Sequence, residues 1–236
     1  MAGDNMITRI ARSPALSTAR RALGLGKYYV FISLVTGLGV LFFIIPACVN
    51  PGTGALPLLA IPFTVSPMVM LVTPIAILFV YDKNNGVLEY LLSLGMTQRD
   101  IYLRYLNASL IVAFAYLAAF FALNAGYLYA LFGAAHLQEL LTVFSIGFAI
   151  SVSTVMFVIT LMMEFSSLQK PRAGANQPLA ITLGLVGVAP GYFIPFAFPF
   201  STAIAVEILQ AAIIAAVALV LMALSGRLIQ REKFLP

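Results

Sequence analysis

The chain has one cysteine, Cys48, one histidine, His136, and only 9% charged residues in a length of 236. A single cysteine excludes an internal disulfide framework, and we read Cys48 as a buried apolar filler. With one histidine there is no basis for a zinc site or a Cys/His catalytic pair, so no metal ligands and no catalytic residues are assigned. Soluble domains carry about 25% charged residues, so a chain this poor in charge is not an ordinary soluble domain. A Gly-x-x-x-x-Gly-Lys-Ser/Thr loop is also missing, which excludes nucleotide binding in the P-loop manner.

What is present is hydrocarbon: 62% of residues are hydrophobic and the mean hydropathy is +1.03. This is the composition of a polytopic membrane protein. Apolar runs occupy residues 28–48, 57–80, 103–131, 140–163, 178–196 and 203–225, each near or above the roughly 20 residues that cross about 30 Å of hydrocarbon. Six spans are therefore expected. No pair of carboxylates with a basic partner lies within them, which argues against a proton relay and an autonomous ion-coupled carrier.

The 13 Lys and Arg residues exceed the 8 Asp and Glu, but their placement follows the spans and no nucleic-acid partner is expected. Five precede the first span; Lys83, Arg99 and Arg104 lie in the second connection, Lys170 and Arg172 in the fourth, and Arg227, Arg231 and Lys233 in the tail. With six spans all fall on one side, so the positive-inside rule puts both termini and residues 81–104 in the cytoplasm. The polar and basic residues before the first long run show no signal peptide, and we expect this segment to be retained. Residues 5–27 set Arg9, Arg12, Arg20, Arg21 and Lys27 against an apolar face of Leu16, Ala19 and Leu23, suiting either an amphipathic helix lying on membrane lipids or a tail that only fixes orientation.

Residues 81–104 are the one long interior stretch that mixes charge with a short amphipathic pattern. Leu88, Leu91 and Leu92 crowd one side at helical spacing, with Asn85, Glu89 and Ser93 opposite. Asn84 and Asn85 are expected to cap the first turn, Glu89 to favour the positive end of the helix dipole, and Gly95 to stop the helix. Thr97-Gln-Arg-Asp100 then has the spacing of a capping box that starts the next helix near Gln98.

Other candidates have plain readings beside functional ones. Glu207, a turn or more into the last span, is either a group facing a pathway or an interfacial residue reaching water. Asn107 and Asn124 suit interhelical hydrogen bonds, and Gly184, Gly187, Gly191, Ala211, Ala212, Ala215 and Ala216 suit close helix packing. Residues 190–202 are too rich in proline for regular helix, and a bent or re-entrant turn is expected there at the outer surface.

The run Asp82-Lys83, Gly86-Val87-Leu88-Glu89, Leu91-Leu92-Ser93-Leu94-Gly95, Thr97, Ile101, Arg104 resembles the signature of ABC-2 type permeases, the membrane subunits of type V ABC exporters. Gly95 stands where that family usually has Pro and Asp82 where Glu is commoner, and both changes keep the helix-ending and capping physics. Residues 198–207 are similar, more loosely, to the family's Asn-Pro-Leu-Thr-Tyr approach to the last span. The resemblance implies that the short helix is a coupling helix docking in a groove of a separate ATP-binding subunit, two permeases working with two ATPases. It implies contact through Asn85, Val87, Leu88, Glu89, Leu91, Leu92, Ser93 and Arg99, with Lys170 and Arg172 as the lesser contact. ATP and Mg would be bound by that partner, and this chain would carry no cofactor.

The expectation is thus an all-α membrane domain over residues 1–236, with an amphipathic N-terminus (1–27), spans one and two (28–80), a coupling-helix loop (81–104), spans three and four (103–163), a cytoplasmic loop (164–177), spans five and six (178–225) and a tail (226–236). Its expected role is a permease subunit in the cell membrane, forming a homodimer or heterodimer. The alternatives are a membrane-embedded lipid-modifying enzyme, for which His136 and Glu139 would be the residues to substitute, and an autonomous channel or secondary carrier. An apolar or amphipathic cargo is mildly favoured by the absence of external domains.

Overall fold

A computed structural model describes residues 14–35, 38–39, 56–134, 137–165 and 188–228, with no strand among them. The helices are α1 (Pro14–Leu25), α2 (Ala60–Asn84), α3 (Val87–Ser93), α4 (Gln98–Phe132), α5 (Leu137–Phe165), α6 (Ile194–Ala197) and α7 (Phe200–Leu228). Short 3-10 turns precede α2 (Leu56–Leu59) and α6 (Ala189–Tyr192). Residues 27–35 are also helical.

Among the described residues, four helices are long and apolar enough to cross a membrane: α2, α4, residues 140–161 of α5 and residues 200–224 of α7. They correspond to the second, third, fourth and sixth expected spans. Most of the runs 28–48 and 178–196 lies outside the described residues, as do Cys48, Lys170, Arg172, Gly184 and Gly187. The described end of 178–196 is not a straight helix. Pro190 and Pro195 each sit in the first turn of a four-residue element, Ala189–Tyr192 and Ile194–Ala197, where a missing amide costs nothing.

The central helix is α2, with 72% of its most apolar stretch buried, against 17% for α7. Its buried face includes Ile61, Val65, Met68, Val72, Ile75 and Phe79, against which α4 and α5 pack. Pro67 and Pro74 interrupt the ladder of this helix. The hydroxyls of Thr64, Ser66 and Thr73 turn back onto the carbonyls of Ala60, Pro62 and Val69 at 2.6–2.8 Å, so the polar atoms buried there are paired within the helix.

At 35 residues, α4 is about 50 Å long and overreaches the hydrocarbon. Its first turn, Gln98-Arg-Asp100, is accordingly polar. A 2.6 Å bond between the Tyr102 and Thr160 hydroxyls ties α4 to α5, and the rings of Phe79 and Tyr105 meet edge to face at 5.2 Å between α2 and α4. Contact between α7 and α5 is close. Ala203, Ala211 and Ala218 are buried on α7, whereas Ala212 and Ala216 are exposed and Ala215 is half-buried, so the small-residue packing surface is narrower than expected.

Asn124 is buried, but its amide bonds to Phe120 of its own helix at 2.8 Å, and Asn107 is exposed. Among the described residues neither makes the interhelical bond expected of it. The short side chain at 124 reaches the carbonyl one turn back more easily than a neighbouring helix.

Candidate functional site

One end of the bundle collects the charged residues of the chain's middle. The last turn of α2 carries Asp82, only 1% exposed. Burying a carboxylate there requires partners, and three donors supply them. The Tyr105 hydroxyl donates to Oδ2 at 2.6 Å, Arg21 Nη2 donates to Oδ1 at 2.8 Å, and Arg21 Nη1 donates to Oδ2 at 3.3 Å. The guanidinium therefore grips the carboxylate with both nitrogens, the strong fork arrangement.

A second tie runs from Arg104 Nε to the Thr18 hydroxyl at 2.8 Å. Through these bonds α1 is strapped across the ends of α2 and α4, with Thr18, Ala19 and Ala22 buried beneath it. Gly26 sits where α1 gives way to residues 27–35, and a Cβ there would lie 2.3 Å from Pro74 Cγ. Of the apolar face expected on this segment, Ala19 is buried and Leu16 and Leu23 are half-buried, and Arg21 meets a carboxylate rather than a lipid head group.

Five positions beyond Asp82 begins α3, separated from α2 by two residues. Gly86 closes α2 and opens α3 with φ 71°, and no side chain caps it. The expected caps are elsewhere: Asn84 ends α2 and Asn85 is its C-cap. A left-handed turn already fixes the chain's direction, so no asparagine needs to do so. At the far end Gly95 adopts φ 87°, and the bonds Gly95 N to Leu92 O (3.0 Å) and Met96 N to Leu91 O (3.2 Å) form a Schellman closure. The Thr97–Asp100 capping box is present, with Asp100 N donating to Thr97 Oγ1 at 3.2 Å and Thr97 N to Asp100 Oδ2 at 3.0 Å.

The two faces of α3 divide sharply. Leu88 is fully buried, and Leu91 and Leu92 are half-buried against the core. Tyr90 and Leu94, one turn apart, are 63% and 62% exposed. Asn85, Ser93 and Arg99 are exposed, and Val87 and Glu89 are half-buried. The leucine face is therefore occupied by the chain itself. Sequence reasoning missed the outward pair Tyr90 and Leu94, because an apolar residue next to other apolar residues looks like core until the third dimension is known. It also missed Arg21, Asp82 and Tyr105 as a unit; the available signal was an acid inside the last turn of an otherwise apolar run.

At the opposite end lies Glu207, buried and with neither carboxylate oxygen paired among the described residues. This overturns the interfacial reading: Gly191 and Pro62 cover the side chain, so it does not reach water.

No protein-family profile matches this sequence, and neither a curated protein nor a solved structure is significantly similar to it.

Proposed function

We propose that the chain is the membrane subunit of an ATP-driven exporter of the ABC-2 permease kind, with six spans, both termini in the cytoplasm and residence in the cell membrane. In this reading α3 is the coupling helix that docks on a separate ABC ATPase, two of which work with a homodimer or heterodimer of permeases. ATP and Mg are held by the ATPase, and this chain catalyses nothing.

The observation that carries the reading is the build of α3. It is short, bounded by a left-handed glycine at each end, anchored inward by Leu88 and turned outward through Tyr90 and Leu94. A helix with one face locked to the spans and an apolar pair left outside is suited to receive a push and pass it on as a rigid body. The inward leucines then act as the lever's seat. Tyr90, Ser93 and Leu94 form the docking face, with Asn85 and Arg99 at its rim. The push would reach α2 and α4 where Asp82 and Tyr105 already join them.

The test is affinity purification of the full chain from native membranes, with and without Tyr90→Ala and Leu94→Asp. An ABC ATPase is expected to accompany the native chain and to be lost from the double variant while the melting temperature holds. If the purified complex hydrolyses ATP and transports equally well with both substitutions, α3 is not the coupling element.

A further inference from the structure

We propose that Glu207 forms a binding site for a primary ammonium group carried on an apolar molecule, at the end of the bundle opposite α3. The assignment concerns binding alone and stands without the transporter reading.

The first observation is the carboxylate itself. Glu207 lies about 10 Å along α7, is 0% exposed, and has both oxygens buried without a hydrogen-bond partner. Carboxylates in hydrocarbon persist when something pairs with them. No Lys or Arg occurs in residues 188–224, in 137–165 or in the first half of α2. The nearest along α2 is Lys83, 21 positions beyond Pro62 and so about 30 Å away. The described chain offers this acid no cation of its own.

The second observation is the chemistry of its surroundings. A Cβ on Gly191 would meet Glu207 Oε1 at 3.3 Å and Pro62 Cδ at 3.5 Å, so these three residues share one spot. The Pro62 carbonyl receives the Ser66 hydroxyl at 2.8 Å and the Tyr192 hydroxyl at 3.4 Å, and the two hydroxyls are 3.0 Å apart. Their protons are thus spent within the trio, and neither hydroxyl donates to Glu207, whose two oxygens stay acceptors without a donor among the described residues. The complement of such a carboxylate is a cation with several donors and no acceptor, and an ammonium has three.

The wall beside it is apolar: Phe63 packs edge to face on Tyr192 at 5.2 Å, and Phe193 and Phe196 stand 72% and 70% exposed on the short elements around it. An alkyl chain therefore suits the rest of the ligand. The close approach of Gly191 means that entry requires the 189–197 segment to lift from α7. Two elements of four residues each have few internal hydrogen bonds to oppose that movement.

Native mass spectrometry of the full chain in detergent, titrated with dodecylamine, tests the site. One molecule is expected to bind saturably, with dodecyltrimethylammonium, which lacks N–H donors, and dodecanol, which lacks charge, binding at least about tenfold more weakly. Glu207→Gln should weaken dodecylamine to the level of dodecanol while keeping the native melting temperature. Phosphatidylethanolamine and phosphatidylcholine, added in separate arms, separate the sources. Selective retention of the former points to a lipid head group, and dodecylamine binding without it points to a free amine. Equal binding of dodecylamine and dodecanol, or undiminished binding to Glu207→Gln, overturns the proposal. So does the absence of saturable binding, which would leave Glu207 a buried acid holding only its proton.

Discussion

Replacing Arg21 by alanine should unlatch α1. The side chains of Arg21 and Asp82 are 48% and 2% exposed, so the pair is a surface interaction at its basic end and a buried one at its acidic end. Surface pairs are worth about 0–1 kcal/mol, and breaking a buried pair costs about 3–5 kcal/mol because the remaining charge is stranded. With Tyr105 still bonded to the carboxylate, Arg21→Ala should cost about 2–3 kcal/mol. That is a rise of roughly 30- to 150-fold in the population with α1 detached. Arg20 lies exposed on α1, so native-state trypsin cleavage at that residue reports the detached form when α1 recloses faster than it is cut. The sign of the second step decides the matter. Adding Asp82→Asn to Arg21→Ala removes the stranded charge and should restore about 1–2 kcal/mol, slowing cleavage again. Were the double variant cut faster than the single, or the single less than about threefold faster than the native chain, the carboxylate would not be the anchor.

Three further outcomes follow from the same geometry. Tyr105→Phe, which takes one 2.6 Å hydrogen bond from Asp82, should lower stability by about 1 kcal/mol and raise Arg20 cleavage less than Arg21→Ala does. Gly26→Ala would place a Cβ 2.3 Å from Pro74, and the forced shift should cost about 1–3 kcal/mol, seen as a lower melting temperature together with faster Arg20 cleavage. Leu88→Ala empties a fully buried position and should destabilise by about 2–5 kcal/mol in denaturant unfolding, whereas Tyr90→Ala, at a site 63% exposed, should leave the melting temperature within a degree or two.

Much of the architecture was legible because hydrocarbon runs and capping chemistry are local. Runs of some twenty apolar residues specify spanning helices whatever surrounds them, and the Thr97–Asp100 box and Gly95 stop are written within a few positions. The proline break after residue 189 was legible for the same reason, since a missing amide acts where it stands. Where the reading slipped, a neighbour outside the local window had decided the outcome. Asn84 and Asn85 had the right chemistry for capping, but the Gly86 turn that ends α2 also starts α3. Asn124 found its own helix. Glu207 sat close enough to the end of its run to look interfacial until Gly191 and Pro62 were seen to cover it.

By itself the sequence determined that the chain is helical and built of long apolar elements, and that residues 81–104 hold a short amphipathic helix with marked ends. These follow from composition, period and caps, which need only neighbouring residues. Only the tertiary structure decided which face of that helix is occupied. Leu88 is sealed inside while Tyr90 and Leu94 look out, and periodicity cannot tell one apolar residue's partner from another's. It also decided that Arg21 and Asp82, 61 positions apart, form one pair, buried at its acidic end and closed by Tyr105. A charge cannot be assigned its partner from sequence when the helices that carry the two must first pack before the carboxylate is taken out of water.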